Sequence, residues 1–247
     1  MIEVGVDPDR GIRTVLLDRP ESRNALTPEA LSSLECAIEQ GTTAPDDPAC
    51  EHAEETHVIE LRGVGPAFCA GADLDVVSGL DRESAIDLAE RGQRVARAIE
   101  ASEAIVIASI DGPAMGGGLE LALACDVRIA TPGATFGEPG VTFGLFGAWG
   151  GTVRLACVVG EGNAMDLGLS GRTVDAAEAL RMGLVSRIES DPRHVVESIA
   201  ANPPETLTVL KRRLRDDADT AVQERREAAA FGDLVSIHED RLRQLRE

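Results

Sequence analysis

The chain has 247 residues, enough to bury a substantial core in one large domain, and a formal net charge of −19. That charge excludes a nucleic-acid-binding surface, because a phosphate backbone needs a basic face. No stretch approaches the ~18–20 uninterrupted apolar residues that cross a membrane, and the acidic start of the chain does not look like a signal peptide, so we expect a cytoplasmic protein.

The basic residues are almost all arginine. Lys211 is the one lysine among 24 basic residues, against 43 acidic ones. An acidic surface nearly free of lysine suits a protein that works in high salt, where like charges are screened. The five cysteines lack CxxC spacing, which favours reduced thiols. Cys50, His52 and His57 lie close together, but their acidic neighbours indicate a solvated loop, and we expect no metal site.

Strand-like and helical runs alternate from the start of the chain. Strands are predicted at residues 15–17, 58–61, 105–110 and 126–130, and helices from Thr27 and over residues 81–100. This alternation predicts an α/β core with some parallel pairing. From about Asp191 the pattern is nearly all helical, with a break at residues 202–204 and one long helix over 222–246. We therefore predict a core at residues 1–190 and a helical region at 191–247.

Two glycine-rich segments follow predicted strands. The first, residues 66–74, ends in small residues that expose backbone N–H groups. In the second, Gly116, Gly117 and Gly118 lead into an apolar helix that carries Glu120 in its first turn. The first N–H groups of a helix lack internal partners and lie at the positive end of its dipole. One donor from each segment would make an oxyanion hole, although each segment alone also fits an ordinary tight turn.

Five ordered segments together resemble the crotonase family, also called the enoyl-CoA hydratase/isomerase family. They are residues 19–26, 67–74, 116–122, 125–130 and 150–155. The resemblance implies a spiral of ββα units, an acyl-CoA thioester as substrate, and a C-terminal region that forms a homotrimer or a dimer of trimers. It implies no cofactor beyond the coenzyme A of the substrate.

The resemblance also assigns the site. Backbone N–H groups of Ala70 and Gly117 would hold the thioester oxygen. The predicted substrate and CoA contacts are Arg23, Ala25, Ala70, Gly71, Ala72, Asp73, Leu74 and Gly117. Glu120 matches the first of the two glutamates with which hydratases of this family activate water, a general acid–base task.

The second family glutamate is absent, because Gly140 stands at its position. Glu138, two residues earlier, leaves two interpretations open: it reaches the pocket directly or through a water, or it replaces a polar neighbour and tunes Glu120. Gly140 is expected to leave room for water or another substrate group. Phe146 and Trp149 fit either core packing or a narrowed acyl pocket.

Hydration of a 2-enoyl-CoA is the leading functional hypothesis. The alternatives keep the thioester but change the outcome: double-bond isomerisation, decarboxylation or thioester hydrolysis. A further alternative is a protein that binds acyl-CoA without turnover.

Overall fold

The computed structural model describes residues 1–39 and 56–244 of the chain. Its larger sheet has the strand order β1-β2-β3-β4-β6-β9. β1 and β2 form an antiparallel hairpin, and the other neighbours pair in parallel. The strands are β1 (Ile2–Asp7), β2 (Ile12–Leu17), β3 (Val58–Gly63), β4 (Ile105–Ile110), β6 (Val127–Ala130) and β9 (Arg187–Ile188). The prediction of an α/β core with parallel pairing is confirmed.

A smaller sheet lies beside the first, and the chain passes repeatedly from one to the other. It consists of β5 (Pro113–Met115), β7 (Thr135–Gly137) and β8 (Thr173–Asp175). β4 leads directly into β5, and β6 leads into β7. After β3, Cys69 forms a parallel bridge with Ala114 of β5. Three successive turns of the chain therefore run in the same sense, as expected for a spiral.

Helices cover both faces of the larger sheet. They are α1 (Pro28–Glu39), α2 (Leu74–Ser78), α3 (Arg82–Ala101), α4 (Gly117–Ala124), α5 (Gly151–Val159), α6 (Glu161–Ser170), α7 (Ala176–Arg181), α8 (Arg193–Ala200), α9 (Pro204–Leu214), α10 (Thr220–Ile237) and α11 (Glu239–Gln244). Successive side chains of a strand point to opposite faces. Ile105 and Ile107 accordingly pack on α8, whereas Val106 and Ala108 belong to the main core with α1, α3 and α4.

α4 is the centre of the fold, since every one of its residues is buried. It follows β5 and packs against α3 and α5. α3 is set by its N-cap, where the Asp81 carboxylate accepts a hydrogen bond from Ser84 N–H at 2.9 Å. α3 and α5 thus both lie beside α4, which carries Glu120 in its first turn.

The C-terminal part differs from the prediction in one respect. The expected single helix over residues 222–246 is wrong, because α10 ends at Ile237 and α11 begins at Glu239; residues 245–246 lie outside the described part. The two helices meet at His238, whose Nε2 lies 3.3 Å from Thr206 Oγ1 of α9. This tertiary contact is invisible to a local pattern. No helix within the described residues is both long and apolar enough to cross a membrane.

Candidate active site

Glu120 is a buried carboxylate held by backbone donors. Its side chain is carried by the first turn of α4, and the residue is 1% exposed. Oε1 accepts hydrogen bonds from Trp149 N–H at 2.9 Å and from Gly151 N–H at 2.5 Å. We call residues 149–151 the Glu120-binding turn. Burial raises the pKa of Glu120 to about 7, although these two N–H donors and the charge of Arg154 oppose the rise.

Glycines let the chain approach this carboxylate. A Cβ atom at Gly151 would lie 2.8 Å from Glu120 Oε1, and one at Gly147 would lie 2.8 Å from Glu120 Cδ. Gly150 has a φ of 114°, a conformation that side-chain-bearing residues rarely adopt. Glycine at positions 147 and 151 is therefore required by the contact with Glu120, whereas glycine at position 150 is required by its positive φ.

Glu138 is the second buried carboxylate of the site. It follows β7 and precedes the 3₁₀ helix Pro139–Phe143, and it is 7% exposed. Neither of its carboxylate oxygens has a hydrogen-bond partner within the described part of the chain. A Cβ atom at Gly147 would lie 2.9 Å from Glu138 Oε2, so both carboxylates border the same small space. Burial, with a further contribution from the charge of Glu120, raises the pKa of Glu138 to about 8.

Gly140 lines the cavity, but a side chain at this position would meet the backbone of residues 145–146. A Cβ atom at Gly140 would lie 3.1 Å from Phe146 Cα and 3.2 Å from Leu145 O. The backbone of residues 145–146 thus fills the space next to Gly140. The pocket gains its second carboxylate from Glu138 instead of from this position.

The backbone donors differ from the assignment made on resemblance. Ala70 N–H donates to Arg23 O at 2.9 Å, so it is already used inside the protein, and the predicted role of Ala70 as an oxyanion donor does not fit. Gly117 N–H and Ala72 N–H have no acceptor among residues 1–39 and 56–244. Gly71, with a φ of 90°, brings the two segments together, because a Cβ atom there would lie 2.8 Å from Gly117 N. Ala72 was missed because hydrogen bonding between distant segments decides which N–H stays free.

The predicted nucleotide loop is built around Asn24, which sequence reasoning did not single out. Arg23 and Asn24 have φ values of 52° and 57°. The buried Asn24 amide donates to Ala67 O at 2.8 Å and to Val64 O at 3.0 Å, which fixes the loop to the first glycine-rich segment. Arg23 itself is exposed, whereas Ala25 is buried beneath the loop.

Asp73 and Leu74 are placed differently from each other. Asp73 is paired with Arg19, whose hydrogen bond lowers the pKa of that carboxyl, and it also caps α2 by accepting from Asp75 N–H at 2.9 Å. Leu74 is 61% exposed. Asp73 therefore has a structural task of its own, and any contact with a CoA group remains a prediction.

A cavity of about 230 Å³ joins these groups. Its lining is mostly apolar and includes Ala70, Ala72, Gly117, Glu120, Leu88, Glu138, Gly140, Phe146, Gly147 and Trp149. Trp149 is 3% exposed, and a Cβ atom at Gly92 or at Gly117 would overlap its ring. Phe146 is 71% exposed, so core packing is wrong for this residue. A second apolar cavity of about 290 Å³ shares Glu138, Phe146 and Gly147 with the first.

Of Cys50, His52 and His57, only His57 lies within the described residues. His57 Nε2 lies 2.9 Å from Ala200 O of α8, away from the cavity. Cys50 and His52 lie outside the described residues. Within the described residues there is no group of three or more metal-ligating side chains.

Comparisons with known proteins agree on one family. Residues 7–240 match the family model described as enoyl-CoA hydratase/isomerase. The short-chain-enoyl-CoA hydratase of Clostridium acetobutylicum is 32% identical over 241 residues, covering 93% of this chain and 88% of its own. The crotonyl-CoA hydratase of Syntrophomonas wolfei is 38% identical over 184 residues, covering 74% and 67%. The crystal structure of an enoyl-CoA hydratase from Bacillus anthracis superposes with a TM-score of 0.86 at 30% identity, covering 99% and 94%.

Proposed function

The chain belongs to the enoyl-CoA hydratase/isomerase family, and we propose that it adds water to a short-chain 2-enoyl-CoA to give the 3-hydroxyacyl-CoA. The observation that carries this proposal is the pair of buried carboxylates, Glu120 and Glu138, on either side of the space over Gly147. The hydratase names of its relatives support the same class of reaction, a lyase.

The thioester oxygen is held by Gly117 N–H and Ala72 N–H in this proposal. Both groups lack an acceptor within the described residues and line the cavity. When water adds to the conjugated double bond, negative charge develops on that oxygen. Fixed donors in a buried site stabilise such an enolate by about 3–4 kcal/mol each. Ala72 replaces Ala70 in this role because the N–H of Ala70 is already bonded to Arg23 O.

The two carboxyls divide the proton transfers. Burial raises the pKa of both carboxyls, and only Glu120 has N–H donors that stabilise its ionised form, so we assign the proton that the pair carries near neutral pH to Glu138. Glu120 takes a proton from water as its oxygen bonds to C3 of the substrate. Glu138 gives its proton to C2 as the enolate collapses. Proton exchange with solvent then returns Glu120 to the carboxylate and Glu138 to the acid.

Water addition changes no net oxidation state, so the proposed reaction needs no redox cofactor, and the enolate charge is stabilised by the two backbone N–H donors. Of the residues predicted to contact CoA, Arg23 and Ala25 lie on the loop that Asn24 fixes beside the first glycine-rich segment. Coenzyme A enters as part of the substrate.

We also infer a homo-oligomer, a trimer or a dimer of trimers. Among the residues that the structure describes, α10 has none that is buried, and Phe231 and Ile237 on it are 69% and 57% exposed. Large apolar side chains exposed on one long helix are typical of an association surface.

We also propose that the protein is adapted to high salt. Its formal net charge is −19, and its one lysine, Lys211, is only 7% exposed.

The proposal is tested by hydration of crotonyl-CoA, followed as loss of the enoyl absorbance at low and high salt. We expect clear turnover by wild type, a loss of roughly 10²–10⁴-fold in Glu120→Gln, and a comparable loss in Glu138→Gln. Glu178→Gln, which removes a carboxylate outside the cavity, is the control and keeps wild-type activity. Tight binding of crotonyl-CoA by wild type with no product would contradict hydration and favour a binding protein. Product other than 3-hydroxyacyl-CoA would favour an alternative reaction.

A further inference from the structure

Arg154 lies directly behind the Glu120-binding turn. It is carried by the first turn of α5, and its side chain is 15% exposed. Its Nη1 lies 3.4 Å from Trp149 O, and a Cβ atom at Gly150 would overlap the same nitrogen. The guanidinium therefore covers the outer side of the turn whose N–H groups of Trp149 and Gly151 bind Glu120 on the inner side.

Glu100 holds Arg154 in this place. It lies in the last turn of α3 and forms a forked ion pair, with Nε to Oε1 at 2.8 Å and Nη2 to Oε2 at 2.5 Å. Two parallel charge-assisted hydrogen bonds fix both the position and the plane of a guanidinium. Arg154 is thus oriented by Glu100 of α3, and it contacts the turn that precedes its own helix, α5.

The ion pairs continue into the C-terminal helices. Arg215, at the end of α9, lies 3.5 Å from Glu100 and 2.8 Å from Asp126. Asp126 is also 2.8 Å from Lys211, the one lysine of the chain. Arg215 further donates to Ala124 O, the last residue of α4, at 3.0 Å. Charges of alternating sign therefore run from the Glu120-binding turn to α9.

We propose that Arg154 is a positioning residue for Glu120, that Glu100 and Arg215 keep it in place, and that α9 is thereby coupled to the catalytic carboxylate. Arg154 does not touch Glu120; it acts by fixing the turn that supplies both N–H donors. The inference rests on the proposed role of Glu120 as the base.

The charged groups around Glu120 act in opposite directions. Glu138, after β7, faces it across the space over Gly147, and Arg154, on α5, lies behind the turn. The α3 side contributes Glu100, which is paired with Arg154 and partly offsets its charge. Arg154 lowers the pKa of Glu120, so its removal is expected to raise that pKa and loosen the two N–H contacts.

The test is a direct titration of Glu120 that needs no turnover. In protein carrying ¹³C at glutamate carboxyls, the Glu120 signal is identified by its loss in Glu120→Gln. In Arg154→Met we expect its pKa to rise by about 0.5–1 unit. In parallel, kcat for hydration is expected to fall roughly tenfold, with KM changed less than about threefold.

Two further variants separate positioning from stability. Arg154→Lys keeps the charge but not the fork, so the Glu120 pKa should rise less than in Arg154→Met while kcat still falls several-fold. Arg193→Met removes an ion pair with the buried Glu60, 3.0 Å away on another part of the fold, and should lower the melting temperature without moving the Glu120 pKa.

An unchanged Glu120 pKa in Arg154→Met, with wild-type kcat in Arg154→Lys, would overturn the proposal and leave Arg154 a stability residue. If Arg154→Met does not fold, the kcat of Arg154→Lys decides alone. A wild type that fails to hydrate crotonyl-CoA would overturn the proposed function but not the titration result, so the two failures are distinguishable.

Discussion

At the scale of single residues, the site depends on two carboxyls that are ionised at different pH. Both are taken out of water, and burial disfavours the charged form of each. Only Glu120 receives hydrogen bonds in return, from Trp149 and Gly151, whereas Glu138 has none within the described residues. This difference in partners is the reason for proposing Glu120 as the base and Glu138 as the acid near neutral pH.

The pH dependence of hydration follows from this pair. Below about pH 7 Glu120 is protonated and accepts no proton from water, and above about pH 8 Glu138 is ionised and has none to give. We expect a narrow bell-shaped profile of kcat/KM with limbs near these values. Glu138→Gln should lose the upper limb along with most of its rate. A flat profile from pH 6 to 9 in wild type would contradict the assignment.

The same pKa shifts affect stability. Both folded-state pKa values lie above the ordinary value of 4.5. Between 4.5 and these values the folded protein binds more protons than the unfolded chain, so the free energy of unfolding falls as pH rises through that window. The two buried carboxyls therefore lower the free energy of unfolding in mildly alkaline solution. Buried carboxyls with raised pKa values are common at functional sites.

At the scale of elements, α3, α4 and the Glu120-binding turn meet through glycines. Gly92 of α3 and Gly117 of α4 both leave space for the ring of Trp149. The Glu120-binding turn can approach α4 only if the Trp149 ring fits between α3 and α4. The absence of side chains at Gly92 and Gly117 leaves that space. Packing of one indole between two helices thus sets the distance from the N–H donors to Glu120.

Gly92→Ala tests this packing. Helix propensity favours alanine by ~1 kcal/mol, but overpacking against a buried ring costs ~1–3 kcal/mol, so we expect a net loss of stability and a lower kcat. Gly162→Ala, in α6, is the control, since nothing in the described part of the chain lies within 4 Å of the added Cβ atom, and it should gain up to ~1 kcal/mol. Urea unfolding measures both. Equal gains in the two variants would show that Trp149 does not rest on Gly92.

At the scale of the whole molecule, an acidic chain carries an exposed helix, α10, with large apolar side chains on its surface. The net charge of −19 opposes association of identical chains, while the apolar side chains of α10 favour it. Salt screens the first effect over a Debye length of ~10 Å at 0.1 M and ~3 Å at 1 M. The balance between them is therefore expected to depend on ionic strength.

Light scattering with size-exclusion chromatography tests that balance. Wild type should have the mass of three or six chains in molar salt and a smaller mass at low salt. Phe231→Asp, which places a charge on a side chain that is 69% exposed, should be smaller at both. Glu224→Asp, on the same helix, is the control and should behave as wild type. A monomer in all conditions would contradict the oligomer, and a salt-independent mass would contradict the high-salt adaptation.

The sequence by itself determined the family, the α/β core and the burial of the helix that carries Glu120. The family follows from the ordered motifs. The core follows from apolar runs such as residues 105–110, which are buried in the structure. The family and the fold class are confirmed. The strand and helix positions depend mainly on local pattern, which explains why β4 was predicted residue for residue.

Only the tertiary structure decided which groups of the site are free to act. Ala70 was chosen from its motif, but its N–H is taken by Arg23 O, which lies far away in sequence, and this leaves Ala72. A Cβ atom at Gly140 would meet the backbone of residues 145–146, and the second carboxylate of the cavity is Glu138. The availability of a donor and the reach of a side chain are set by distant segments, so a local pattern contains no record of them.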